Sequence, residues 1–208
     1  MVSTYNGRSF AIGIKPLVGD TPMRSVPPQP HDRSKNGESD GNHSHDHHHH
    51  DVGNPNVAVL TVSSSRSVED DPSGDAIETA LDDADYRVIE REVISDDQDA
   101  IRSRVETYAT DERVDAVVTT GGTGVTPDDV TVEAVSSLFR KELPGFGELF
   151  RRLSSDEIGT RVIGTRATAG IVADVPVFCL PGSENAVRLG VSEIIVPELP
   201  HLVGLAQR

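Results

Sequence analysis

"VDAVVTTGGTGVTPDDVTVEA" (residues 114–134) holds the fold in miniature. A β-branched apolar run reads as a buried strand over residues 115–119, which stops in Gly121, Gly122 and Gly124. "TPDDVTVEAVSSLFRKEL" (126–143) then reads as a helix, with Thr126 as its N-cap, Pro127 at N1 and Asp129 at N3 in a variant capping box. A strand, a glycine turn and a helix make one unit of a parallel sheet.

The same alternation extends outward from this unit. "NVAVLTV" (56–62) and "YRVIEREVI" (86–94) read as strands. "SGDAIETALDDAD" (73–85) places Ile77, Ala80, Leu81 and Ala84 at helical spacing, with Ser73 as the expected N-cap. "DDQDAIRSRVETYAT" (96–110) is an amphipathic helix with acidic residues at the positive end of its dipole. "VPVFCLPG" (175–182) and the helix "SENAVRLGVSEIIV" (183–196) complete the series. The expected fold is a single three-layer α/β domain over residues 56–208, with a mostly parallel sheet covered on both faces.

Residues 1–55 differ in kind. "PPQP", "SKNGESDGN" and "HSHDHHHH" lack apolar periodicity and cannot bury enough surface to offset chain entropy, so this part reads as a disordered tail. Its histidine tract would bind Ni²⁺, Cu²⁺ or Zn²⁺ weakly, without fixed geometry, and no metal site is assigned there. Cys179 is the one cysteine, which rules out an intrachain disulfide, and its apolar neighbours predict a buried strand residue. With 19 basic and 34 acidic side chains the net charge is −15, a surface that repels nucleic acid. No continuous apolar run approaches the ~20 residues of a membrane span, and the start lacks a signal-peptide pattern, so the expected location is the cytoplasm.

In parallel sheets, ligands sit at the carboxyl ends of the strands. Gly121, Gly122, Thr123 and Gly124 occupy such an end, where backbone amides can approach an anion, and Thr126 adds a hydroxyl. The loop is not a P-loop, since the lysine of that motif is absent. Ser63, Ser65 and Arg66 follow the first strand, with Ser73 and Gly74 opening the next helix. Pro181, Gly182 and Ser183 end another strand. Each stretch alone is also ordinary capping chemistry. Asp96 and Asp97 follow the second strand and read either as caps or as carboxylates facing the same edge. Carboxylates facing a phosphate site repel the ligand unless Mg²⁺ lies between them.

The motif order "LTVSSSR", "DPSGDAI", "TTGGTGVTPDDVTVEA", "LPGFGELFRRLSSDEIGTR", "RATAG" and "LPGSENA" resembles the molybdenum-cofactor biosynthesis family MoaB/MogA, on its MoaB branch. The resemblance implies a homotrimer that binds molybdopterin and transfers AMP to it from Mg·ATP, releasing pyrophosphate, before hand-over to a metal-insertion enzyme. It implies that Asp96 and Asp129 are the functional carboxylates and hold Mg²⁺. It further implies that Gly121–Gly124 cradle phosphate, that Ser63, Ser65 and Arg66 line the pocket, that Pro181, Gly182 and Ser183 form its rim, and that Glu148 is a family position. A non-catalytic molybdopterin-binding trimer and a CinA-like nucleotide-processing domain are the alternatives. Where many relatives carry a basic residue before the second aspartate, this chain has Asp128, an added negative charge near the expected triphosphate.

Residues 57–208 carry 28 acidic and 14 basic side chains, and Lys141 is their one lysine. Such an acid-rich, lysine-poor surface repels itself until salt screens it. The thermal unfolding midpoint is therefore expected to rise from dilute to molar KCl. A midpoint that stays level or falls would remove this reading of the composition.

Overall fold

The computed structural model describes residues 53–208 and, before them, only the backbone of two short strands. The chain divides into units 1–43 and 44–208. In the first, β1 (Thr4–Tyr5) pairs antiparallel with β2 (Arg8–Ser9). The remainder of the expected tail up to residue 52, including the histidine tract, lies outside the described residues.

The second unit is built on β3 (Asn56–Val62), β4 (Arg87–Ile94), β5 (Ala116–Thr120), β6 (Lys141–Glu142), β7 (Thr168–Val172) and β8 (Val175–Leu180). They form one sheet in the order β4-β3-β5-β8-β7-β6. The first four are parallel, while β7 and β6 join antiparallel. The antiparallel edge follows from a two-residue hairpin between β7 and β8. Ala173 and Asp174 both take positive φ, 46° and 70°, which suits the twist of a tight hairpin.

Alternation along the strands sorts two cores. Val57, Val59, Val118, Phe178 and Leu180 face α1 (Pro72–Asp82), α4 (Pro144–Ile158), α5 (Glu184–Gly190) and α6 (Val196–Ala206). Ala58, Leu60, Val117, Val177 and Cys179 face α2 (Gln98–Ala109) and α3 (Thr131–Ser136). This is the expected three-layer α/β architecture with a mostly parallel sheet. Cys179 is fully buried, and burial pushes its thiol up to about 12, which disfavours the reactive thiolate.

One turn of π-helix (Val191–Ile195) joins α5 to α6. The resulting helix Glu184–Ala206 has 23 residues and contains an 18-residue stretch of mean hydropathy 1.3, enough by length and composition to match a membrane span. Its apolar stripe through Val187, Val191, Ile195, Leu199 and Val203 packs into the core, while Glu184, Arg188, Glu193 and Glu198 interrupt the other face.

Two local expectations are corrected. No helix starts at Thr126: α3 begins at Thr131 and ends at Ser136. Asp129 does accept from the Thr126 amide, 2.7 Å, and its own amide donates to the Thr126 carbonyl, 3.0 Å. The capping pattern therefore closes an isolated turn that does not propagate. Nor does Ser73 cap α1. Buried Asp71 does so, accepting from the Gly74 amide at 3.0 Å, and leaves the Ser73 hydroxyl for other work.

The parallel register brings the ends of β3, β5 and β8 level: Thr61 lies beside Thr120, and Thr120 beside Leu180. Gly121 leaves β5 at φ 97°, and a Cβ there would collide with the Val62 carbonyl. Gly121→Ala is expected to lower the unfolding free energy in urea by about 2–4 kcal/mol, through the positive φ and this backbone clash. A loss below about 0.5 kcal/mol would show that the strand ends do not meet so closely.

Candidate functional site

The level strand ends open into a cavity of about 580 Å³. It is lined by the loop after β3 (Ser63, Ser65, Arg66), the loop after β5 (Gly121, Gly122, Thr123, Gly124, Asp129) and the turn after β8 (Pro181, Gly182, Ser183). Eleven of the residues singled out from sequence thus share one cavity. Its remaining wall comes from α4 and from the 3-10 helix Gly159–Gly164, with Phe150, Ser154, Ile158, Arg161 and Thr165.

Short bonds stitch the three strand ends together. The Ser73 hydroxyl donates to the Gly182 carbonyl at 2.8 Å and accepts from the Arg66 guanidinium at 3.0 Å. Arg66 also donates to Gly182, 3.3 Å. The Thr120 hydroxyl donates to the Pro181 carbonyl, 2.9 Å. Ser73 and Gly74 thus lie outside the cavity and set its frame. Beneath Arg66, the buried Asp71 carboxylate lies 3.6 Å from its guanidinium, accepts from the Thr61 hydroxyl at 2.7 Å, and pairs with Arg91 at 3.3 Å. Two arginines and a hydroxyl donor thus partner this buried carboxylate, which would be costly to leave unpaired.

The glycine loop is fixed from its other side by Arg166, which sequence reasoning did not single out. Its guanidinium donates to the carbonyls of Gly124 (2.6 Å) and Asp129 (2.9 Å) and pairs with Glu133, while its amide donates to the Thr123 carbonyl at 3.1 Å. Asp129 takes two bonds on Oδ2, from the Thr126 amide and from the Thr126 hydroxyl at 2.6 Å. Burial works to raise its pKa, but those bonds, the Gly124 amide and the Arg166 charge outweigh it and hold the carboxyl below its ordinary 3.8. The stability these contacts confer is therefore present above 3.8 and is lost as pH falls through the lower folded value.

The other residues expected at the site lie apart from the cavity. Asp96 is half-buried and accepts from the Ser64 hydroxyl at 2.6 Å, so it holds the Ser63–Arg66 loop from behind. Asp97 caps α2 through the Ala100 amide. Thr126 is exposed and closes the Asp129 turn, and Asp128 is exposed on that turn. Glu148 is exposed on α4 and lines a separate depression with Arg151 and Arg166. Among the described residues, Asp129 is the only carboxylate lining the cavity, facing two arginines, Arg66 and Arg161. A chain of net charge −15 thus carries a cavity lining with a net positive charge. That lining suits a phosphorylated ligand.

Comparison with known proteins agrees with this fold. A family model described as a probable molybdopterin binding domain matches residues 58–201. The chain is 45% identical over 146 residues to the molybdenum cofactor biosynthesis protein B of Bacillus subtilis (strain 168), covering 70% of this chain and 86% of that protein. A solved structure of a molybdenum cofactor biosynthesis protein B is 41% identical, with a TM-score of 0.73 over 75% of this chain and 98% of its own. The tungsten cofactor synthesizing protein MoaB from Pyrococcus furiosus is 38% identical, with a TM-score of 0.67 over 74% of this chain and 98% of its own. The chain belongs to the MoaB/MogA family of molybdenum-cofactor biosynthesis proteins.

Proposed function

We propose that this protein transfers AMP from Mg·ATP to molybdopterin, giving adenylylated molybdopterin and pyrophosphate. The observation that carries the reading is the cavity lining: a glycine loop, two arginines and a single carboxylate at the carboxyl ends of three parallel strands. In this reaction a phosphate oxygen of molybdopterin attacks the α-phosphorus of ATP, and the bond from that phosphorus to the bridging oxygen breaks. The chemistry asks for alignment and charge stabilisation more than for a covalent enzyme nucleophile.

The residues have distinct tasks in this reading. The Gly121–Gly124 loop would cradle the phosphates, and Arg66 would offset their charge while remaining tied to Ser73 and Gly182. Ser63, Ser65 and Ser183 would donate hydroxyls from the rim. Asp96 would keep the Ser63–Arg66 loop in place through Ser64. Asp129, held ionised, would be the carboxylate that holds Mg²⁺. Among the described residues no group of three His, Cys, Asp or Glu side chains could cage a metal. That suits an ion taking most of its ligands from phosphate and water. Bound there, Mg²⁺ would neutralise the polyphosphate and make the carboxylate's presence tolerable. From the family the reading also takes a homotrimer, a cytoplasmic location and a metal-insertion enzyme that receives the product.

Purified protein mixed with molybdopterin and Mg·ATP should yield the adenylylated pterin by mass spectrometry. Asp129→Asn keeps an acceptor oxygen for the Thr126 bonds but removes the charge, so turnover should fall at least about a hundredfold with the fold retained. Pterin bound but unchanged, with ATP intact, would instead make the protein a non-catalytic carrier.

A further inference from the structure

The cavity's two guanidiniums are not equivalent. Arg66 is bonded to Ser73 and Gly182, and the buried Asp71 carboxylate lies 3.6 Å away as its counter-charge. Arg161, exposed on the 3-10 helix Gly159–Gly164, has no side-chain hydrogen-bond or ion-pair partner among the described residues. It is the uncompensated positive charge of the lining, in a protein that is otherwise strongly acidic.

The wall beside Arg161 has a second property. Ser154 and Thr165 line the same cavity, and the hydroxyl of each is buried without any hydrogen-bond partner, as is that of Thr123 across from them in the chain's glycine loop. Ser154 is 6% exposed and Thr123 is 2% exposed. Buried hydroxyls without partners are uncommon and unfavourable. Each hydroxyl therefore keeps an unused donor, which can turn to an arriving oxygen without breaking a hydrogen bond. Phe150, buried, and the half-exposed Ile158 supply apolar surface alongside.

We infer that Arg161, with the hydroxyls of Ser154 and Thr165, forms a second phosphoryl-binding subsite on the α4 wall of the cavity, separate from the glycine loop. Its ligand is a phosphoryl group carrying two negative charges, borne by the nucleotide's polyphosphate or by the acceptor's phosphate monoester. The inference rests on the proposed function only in taking the cavity's ligand to be phosphorylated.

The test is calorimetric titration of inorganic pyrophosphate into the full chain. Arg161→Gln should weaken binding about tenfold, the scale of one charge-assisted bond. Arg161→Lys should recover part of the loss. Ser154→Ala should weaken binding a few-fold without lowering the unfolding midpoint, because it removes a hydroxyl that has no partner in the free protein. Arg152→Gln removes an equal charge from the exposed face of α4, outside the cavity, and should leave binding unchanged. Repeating the titration with ATP-saturated protein distinguishes the two sources: competition assigns the subsite to the polyphosphate, and continued Arg161-dependent binding assigns it to the acceptor. Equal affinity of wild type and Arg161→Gln, or an equal loss in Arg152→Gln, would overturn the inference. An absence of adenylylated product with the Arg161 dependence intact would remove the proposed reaction and leave the subsite standing.

Discussion

The site depends on how closely three backbone segments can meet. Gly121 packs against the Val62 carbonyl, and Gly182 in turn lies against Gly121, so the loops after β3, β5 and β8 touch through main chain. A side chain at Gly121 would hold them apart. Once they meet, the remaining bonds become possible: Ser73 and Arg66 reach the Gly182 carbonyl, and Thr120 reaches Pro181. The cavity is then the space these ends enclose with α4. Parallel pairing sets the ends level, and glycine lets them close.

Charge is distributed against the overall composition. The acid-rich exterior would repel a phosphorylated ligand, yet the cavity lining has two arginines to one aspartate. Asp71 makes part of this arrangement stable. Buried beneath the site, it caps α1, binds Thr61 and lies between Arg66 and Arg91, so one carboxylate fixes a helix, a strand and a cavity arginine. Arg166 has the matching role on the far side, bonding the carbonyls of Gly124 and Asp129. Both loops are thereby organised before any ligand arrives, which is the condition for electrostatic stabilisation of a transferring phosphoryl group.

Much of this was legible in the sequence, for identifiable reasons. The strands β3, β4 and β5 and the helices α1 and α2 carry strong periodicity, and their order alone implies a covered parallel sheet. The strand-end loops announce themselves by glycine and hydroxyl content, and most of the expected lining follows from them. What was missed depends on contacts remote in sequence. Ser154, Arg161 and Thr165 lie beyond the glycine loop in the chain and show no local pattern marking them as its neighbours. Arg166 reads as one more surface arginine until Gly124 is placed beside it. Capping patterns also misled: Thr126 and Asp129 satisfy a capping box locally, but the turn they close does not continue as helix. Ser73 looked like a cap because Asp71, two residues earlier, competes for the same duty. Asp96 reached the correct edge of the sheet but is engaged by Ser64, outside the cavity lining.

The central claim is that the cavity accepts a polyphosphate because Asp129 and a magnesium ion share its charge. The most direct measurement is equilibrium binding of ATP to the full chain, with Mg²⁺ and with Mg²⁺ removed by chelation. The account predicts affinity that rises markedly when Mg²⁺ is present. Affinity unchanged by Mg²⁺, or no binding of ATP in either condition, would contradict it.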